Sequence, residues 1–335
     1  MILVTGATGL LGAHLLVDLV KSGQKVRALK RENSNFAVVE KIFKLYAPEK
    51  SLYDSVEWVE GDILDVFSLF QALEGVDYIY HCAAMVSFDP SDRDKMLKIN
   101  ATGTANLMNI ALEKAVKKVC HVSSVAALGK HDLSSEITEK NWWKNTPGNS
   151  RYAISKYSAE REAWRAAEEG LNVVIVNPSV ILGPGDWSKG SAGIISTAFK
   201  GMKFYATGTT GFVDVRDVSK CMIKLMESTL SGERYIISSE NINYRDLFNL
   251  LHDHLGRKRP SIKAGKFLTG LTWRTEFIRS LFVGSTPLIT RETAQASGSS
   301  VYFSNEKIKK QLNIEFIPVA QSIKDICKIF LEEKR

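Results

Sequence analysis

Cysteine is scarce and scattered in this sequence. Its 335 residues include four, Cys82, Cys120, Cys221 and Cys327, with no CxxC pair among them. That pattern excludes a disulfide framework and a zinc site built on paired thiols; reduced thiols in a cytoplasmic protein are the expectation it leaves. Long apolar runs are missing too. No stretch approaches the roughly 18 consecutive apolar residues of a membrane span, so none is predicted. The uncharged start, Met1 to Val17, has no basic segment ahead of its apolar residues and is interrupted by Gly6, Gly9 and Gly12, which argues against a signal peptide. Internal repeats and low-complexity tracts are absent.

Apolar residues make up 44% of the chain and charged residues 24%. These are ordinary values for a soluble globular protein and exclude a disordered chain, a collagen and a polytopic membrane protein. The length suits two domains or one large α/β unit. The net charge of +7 sits in the last quarter: residues 251–335 hold 15 basic and 8 acidic side chains, and the remainder holds 29 of each. A basic lobe can attract nucleic acid, anionic lipid or a phosphorylated ligand. No nucleic-acid-binding motif accompanies it, and a solvated basic surface is the simplest account.

Ile2–Thr5 is a short buried strand by its apolar run, followed by TGATGLLG at Thr5–Gly12 and an apolar-periodic helix over His14–Lys21. Lys25–Leu29, Val56–Val59, Tyr78–His81, Val119–Val122 and Val173–Val176 are further strands, with helices predicted over Val66–Leu73, Asn100–Ala115 and Tyr152–Glu169. Strands alternating with helices imply an α/β fold built on a mostly parallel, doubly wound sheet with right-handed crossovers. The alternation fades after Pro178. A strand at Phe212–Val215 and helices over Val218–Glu227, Tyr244–Leu255 and Val319–Glu332 remain. The expected division is a core of residues 1–177 plus 212–240 and a smaller, discontinuous C-terminal substrate lobe of residues 178–211 plus 241–335. Within the lobe, Lys266–Val283 mixes aromatics with Lys266, Arg274 and Arg279, as interfacial helices do; an amphipathic helix packed on the lobe is the reading preferred here.

The glycines at 6, 9 and 12 have chemical meaning in their context. A strand that turns sharply into a helix offers bare N–H groups and the positive end of a helix dipole to a pyrophosphate. Glycines permit the tight turn and the close approach. The end of the second strand chooses between the two nicotinamide dinucleotides. An acidic residue there would bind the ribose 2′-hydroxyl of NAD. This chain has Lys30-Arg31, two cations that favour the 2′-phosphate of NADP, with Glu32 the one dissenting neighbour.

Tyr152 and Lys156 stand four apart at the start of a helical stretch, and so share a face. A nearby ammonium favours a phenolate, so Tyr152 is expected to have a lowered pKa and to exchange a proton near neutral pH. Ser123-Ser124 closes the strand VCHVSS, where a doubly wound sheet opens its ligand crevice; a hydroxyl there can hold a carbonyl oxygen or alkoxide.

With these residues in view the sequence resembles the extended short-chain dehydrogenase/reductases over essentially its whole length. TGATGLLG matches the family's TGxxGxxG, with Gly6, Thr8, Gly9, Leu10 and Gly12 as cofactor contacts. EGDILD supplies Asp62 and Ile63 at the adenine, and HCAA supplies Ala83 and Ala84 along the cofactor. INATGT matches the NxxGT helix start and gives Asn100 as the supporting asparagine. NPSVILGPG matches the loop flanking the nicotinamide, through Pro178 and Val180. The resemblance implies a Rossmann fold, with Ser124, Tyr152, Lys156 and Asn100 as the catalytic set. It also implies NADP, with NAD possible, and hydride transfer to the carbonyl of a small molecule. The roles that follow are proton donation by Tyr152, a hold on the carbonyl oxygen by Ser124, a bond from Lys156 to the nicotinamide ribose and a lowered Tyr152 pKa, and a water relay supported by Asn100.

Within the family, YSAEREAW and the Lys30-Arg31 pair look like the dihydroflavonol 4-reductases and related aldehyde and ketone reductases. Leu128 stands where nucleotide-sugar epimerases usually carry tyrosine, and the Asp-Glu pair of sugar dehydratases is absent. An NAD-dependent nucleotide-sugar epimerase is the rival enzyme; a non-catalytic NADP sensor or scaffold is the rival of another class, weakened by the retained Tyr152 and Lys156. Arg216 could hold a ligand phosphate or pair with Asp214 or Asp217. His81, His121 and Cys82 read as structural. Trp142, Trp143 and Trp187 could stack on an aromatic or sterol-like substrate or pack in the core. Helices 100–115 and 152–169 form a dimer bundle in many relatives, whereas some reductases of this branch are monomers.

Overall fold

A computed structural model describes the chain apart from residues 88, 130–135, 147, 265–297 and 335. Lys266–Val283 therefore lies outside the described residues. In chain order the elements are β1 (Ile2–Thr5), α1 (Leu10–Lys21), β2 (Val26–Lys30), α2 (Ala37–Tyr46), α3 (Lys50–Asp54), β3 (Glu57–Glu60), α4 (Val66–Ala72) and β4 (Tyr78–His81). Next come α5 (Arg93–Leu97), α6 (Gly103–Glu113), β5 (Lys118–Val122), α7 (Arg151–Glu168), β6 (Val173–Pro178), β7 (Val180–Leu182), α8 (Ala192–Lys200), β8 (Phe204–Tyr205) and β9 (Thr209–Asp214). The chain continues through α9 (Val215–Glu227), β10 (Glu233–Ile237), β11 (Glu240–Asn243), α10 (Tyr244–His254), β12 (Ile262–Lys263), α11 (Glu306–Leu312) and α12 (Val319–Glu333).

Seven strands form one parallel sheet in the order β10-β6-β5-β4-β1-β2-β3. Its inner strands are buried on both faces, as ILVT and VVIVNP show by being apolar without alternation. The outer strand β3, EWVE, leaves its two glutamates exposed. One face is covered by α1, α2 and α9, whose Leu15, Phe43 and Met222 join one core cluster. The other is covered by α4, α6 and α7 through Leu69, Leu107 and Ala163. A separate cluster unites α8, β9, α10 and α12 around Phe212, Leu251 and Phe330, beside a three-stranded sheet β11-β9-β7.

Strand order reverses between β1 and β4, so a crevice opens above their C-terminal ends. The glycine turn follows β1 there, and the serine pair follows β5 one strand further along.

Three local departures from the sequence reading have identifiable causes. The helix expected over Asn100–Ala115 begins as a π-helical turn at Lys98–Thr102, a widening often found at functional positions. The helix expected from Val218 starts at Val215, because Asp214 caps it by accepting from the Arg216 N–H at 2.9 Å. In α2, Val39, Ile42 and Phe43 are buried at helical spacing; it was not anticipated.

Candidate active site

The turn after β1 needs its glycines for two different reasons. Gly6 has φ +66°, and a Cβ there would lie 2.6 Å from the Ala83 nitrogen at the end of β4. Gly12 has an ordinary φ, but a Cβ on it would collide with the Gly6 carbonyl. Between them Gly9 sits at the N-cap of α1 without a side-chain acceptor, leaving Thr8 and Leu10 beside the helix start. Leu10 reaches across to Gly183 and Gly185 after β7, where an added Cβ would meet its Cδ1 at 3.0 and 3.3 Å. The cradle is a backbone surface with the positive end of α1 at its centre.

The other cofactor-contact candidates surround it. Lys30 ends β2, with its ammonium 3.5 Å from Glu60 Oε2. The Arg31 and Glu32 side chains are exposed; the Arg31 backbone N–H donates to Ser34 Oγ at 2.9 Å. Asp62 accepts from the Leu64 N–H at 2.8 Å. Ile63 is buried against Gly103, where any Cβ would strike its Cδ1. The Ala83 N–H donates to Thr5 Oγ1 at 3.3 Å, Ala84 is exposed, and Pro178 and Val180 lie at the end of β6 and start of β7.

Ser150 caps α7 by accepting from the Ala153 N–H at 3.1 Å, which places Tyr152 in the first helical turn. The Tyr152 and Ser124 hydroxyls hydrogen-bond to each other, and Ser124 Oγ also accepts from the Ala126 N–H at 3.1 Å. Lys156 is buried one turn on, and its Nζ donates to the Val122 carbonyl at 2.8 Å. Burial lowers the Lys156 ammonium to about 8, opposed by the negative charge of Glu160. The expected lowering of Tyr152 is not found. Burial pushes its phenol up, and the Ser124 hydrogen bond pulls it back only in part. Lys156 is directed at a backbone carbonyl instead of relieving that cost.

Asn100 is buried in the π-helical turn. Its Oδ1 accepts from the Met85 N–H at 2.7 Å, and its Nδ2 donates to the Met85 carbonyl at 2.9 Å and Ser155 Oγ at 3.0 Å. The amide thus fixes the chain leaving β4 against α7.

Other candidates divide. His81 bonds Thr5 Oγ1 at 2.7 Å and Thr104 Oγ1 at 2.9 Å, a buried strut across three elements. His121 lies 5.3 Å from it, ring to ring, with both nitrogens buried and unpartnered among the described residues. Burial pushes the Cys82 thiol up to about 12, which leaves it unreactive. Arg216 is taken by Asp214 at 2.7 Å and Asp325 at 2.9 Å. Trp187 packs edge-on against Phe330 and donates to Glu333 at 2.7 Å. Trp143 stacks on Tyr157, ring centroids 4.5 Å apart, whereas Trp142 is 79% exposed.

One residue was missed. Glu160 is buried one turn beyond Lys156 and is bonded by side chains of β6, β10, α7 and the segment after β5. Its signal was the further four-residue step in Tyr-x-x-x-Lys-x-x-x-Glu.

Comparison with known proteins shows the family. The model of the NAD dependent epimerase/dehydratase family matches residues 2–238. The chain is 34% identical to sterol demethylase protein B of Methylococcus capsulatus over 264 residues, covering 78% of this chain and 76% of that one. It is 29% identical to a putative dihydroflavonol 4-reductase of Synechocystis sp., covering 98% and 93%. The solved UDP-glucose 4-epimerase of Thermotoga maritima superposes with a TM-score of 0.78 at 20% identity, covering 100% and 99%, a likeness of fold.

Proposed function

The chain belongs to the NAD dependent epimerase/dehydratase family, as an extended short-chain dehydrogenase/reductase, and on that footing we propose that it is an NADPH-dependent reductase of a small carbonyl compound. The observation that carries this reading is the Tyr152–Ser124 hydroxyl pair, with Lys156 one turn further along α7 and held to the end of β5. The cradle fits a dinucleotide: Gly6 and Gly12, where a Cβ would strike neighbouring backbone, let the turn close tightly enough to leave the start of α1 bare for a pyrophosphate. When bound, the nicotinamide supplies the hydride. Ser124 holds the carbonyl oxygen and Tyr152 gives its proton to that oxygen as negative charge develops there. Lys156, whose ammonium meets the Val122 carbonyl, holds the nicotinamide ribose. Asn100 supports the return of a proton through water. Arg31, exposed at the end of β2, and Lys30 bind the 2′-phosphate.

The substrate in this reading is an aldehyde, a ketone or a ring-bearing ketone of dihydroflavonol or sterol type. Exposed Trp142 and the Trp143–Tyr157 stack near the start of α7 support a flat apolar ligand. The relatives' names, a dihydroflavonol 4-reductase and a sterol demethylase protein, point the same way. The pairing of Arg216 with two aspartates counts against the nucleotide-sugar reading, which would use that residue for phosphate. The four free thiols suit the cytoplasm, and α6 with α7 is the face assigned to a homodimer.

The test begins with titration by NADPH, NADP, NADH and NAD, read by energy transfer from tryptophan to bound nicotinamide. Tighter binding of NADPH than NADH is expected. NADPH consumption is then followed with aldehydes, ketones, dihydroflavonols and keto-sterols. Tyr152→Phe is expected to lose roughly a thousandfold or more in turnover and to keep NADPH binding. Undiminished turnover in that variant, or tight NAD binding with activity on nucleotide sugars, would overturn the reading.

A further inference from the structure

We propose that Glu160 is a positioning residue that fixes the Ser124 end of β5 and, through Arg234, the loop leading to Trp142 and Trp143. The inference rests on the reading of Ser124, Tyr152 and Lys156 as the reacting set.

Four donors converge on this one buried carboxylate. Oε2 accepts from Ser123 Oγ at 2.5 Å and Asn177 Nδ2 at 2.8 Å. Oε1 accepts from Arg234 Nη1 at 2.9 Å and Trp164 Nε1 at 3.3 Å. The Glu160 and Arg234 side chains are 1% and 11% exposed. An ion pair so deep adds little net stability over an apolar pair of the same volume, so stability alone is a weak reason for placing it here. Its geometry gives a better one. Asn177 also donates to the Ser124 carbonyl at 3.0 Å, so Glu160 orients the side chain that orients Ser124. Arg234 also donates to backbone through Nε and Nη2. Nε and Nη2 donate to the Glu139 carbonyl at 3.0 and 2.9 Å, and Nη2 donates to the Asn141 carbonyl at 2.6 Å. Those carbonyls lie three residues and one residue before Trp142. The planar fork of arginine makes this three-way hold, and a lysine ammonium cannot reproduce it.

Glu160 also sets the electrostatic surroundings of Lys156. The groups facing that ammonium are His81 and Cys82 from β4 and the segment after it, His121 and the Val122 carbonyl from β5, and Glu160 from α7 itself. Burial keeps both imidazoles neutral and the thiol protonated near pH 7. Glu160 is thus the group of this set that supplies negative charge. Its removal lets the Lys156 pKa fall further.

Two variants test the assignment, each assayed with NADPH and the panel carbonyl the wild type reduces fastest. Glu160→Gln keeps the shape and removes the charge. Its turnover is expected to fall roughly tenfold or more, and the alkaline limb of its pH–rate profile to move by about one unit to lower pH. A folded Glu160→Gln protein with the wild-type profile and turnover would overturn the proposal. Arg234→Lys keeps the partner charge but releases the two carbonyls, and it decides the matter if Glu160→Gln does not fold. It is expected to raise KM by roughly threefold or more with little change in kcat, and to hasten tryptic cleavage after Lys140 and Lys144. Unchanged KM and unchanged cleavage would overturn the link to the loop. Failure of the underlying reading looks different: Tyr152→Phe would remain active whatever Glu160 does.

Discussion

The Lys156 ammonium donates to the Val122 carbonyl at 2.8 Å, two residues before the serine whose hydroxyl meets Tyr152. A buried cation at a strand end has a stability cost, and the cost can be read from its titration. Burial brings Lys156 from an ordinary 10.5 to about 8. Between those values the unfolded chain binds the proton and the folded chain does not. Stability therefore falls as pH is lowered from about 10.5 to 8, and stays reduced at neutral pH. Lys156→Met removes the charge and retains the length. It is expected to be more stable than the wild type at pH 7 by an amount on the order of 1–2 kcal/mol once the lost Val122 and Glu160 interactions are counted, and so to melt at higher temperature, while losing reductase turnover. Thermal melts of the two proteins at pH 7 and pH 10 check it. The difference should shrink at the higher pH; a variant less stable than wild type at pH 7 would refute the argument.

The cofactor preference is carried by side chains at the end of β2 that differ in freedom. Lys30 shares its ammonium with Glu60 at 3.5 Å, and Arg31 is exposed and makes no ion pair among the described residues. A guanidinium is also the better partner for a phosphate, since it can bind two oxygens at once. Arg31→Ala is therefore expected to weaken NADPH binding by roughly tenfold or more and to leave NADH binding nearly unchanged, with Lys30→Ala the milder of the two. Fluorescence titration of both cofactors against both variants decides it. Equal losses for NADPH and NADH would place Arg31 away from the 2′-phosphate.

Much of this architecture is legible in the sequence because the physics is local. Ile2–Thr5 reads as a buried strand by composition, and the glycines that follow it mark a tight turn into a helix. Tyr152 and Lys156 share a face because helical geometry leaves no alternative. The polar framework beneath the site is less legible, because its members are distant in sequence. Glu160 meets Ser123, Asn177 and Arg234 only after three strands have been laid side by side. The Tyr152 pKa failed for a related reason: spacing places Lys156 on the right face but says nothing of the Val122 carbonyl that engages its ammonium. Helix α2 was visible as a 3–4 pattern and could have been read from Val39, Ile42 and Phe43.

Acid should loosen the fold through its buried imidazoles. In the folded chain, burial lowers His14 to about 4 and His81 to about 3, and pushes His121 well down as well. Unfolded, each takes up a proton near 6.5. Unfolding between pH 6.5 and 4 therefore binds protons at three sites, and stability falls as pH falls. Two carboxyls oppose this. Asp217 is raised by burial to about 6 and Asp18 is raised too, so the folded chain holds protons there that the unfolded chain releases. Three sites against two leave a net loss. His121→Leu isolates one of the three without breaking a hydrogen bond, since neither ring nitrogen has a partner among the described residues. The variant is expected to gain about 1 kcal/mol at pH 7 from losing buried unpaired polar atoms. Below pH 6 its stability should decline less steeply, by about 1.4 kcal/mol per pH unit where that imidazole titrates. Urea unfolding at pH 7, 6, 5 and 4.5 measures both. An unchanged slope would mean that His121 is already charged, or already hydrated, within the fold.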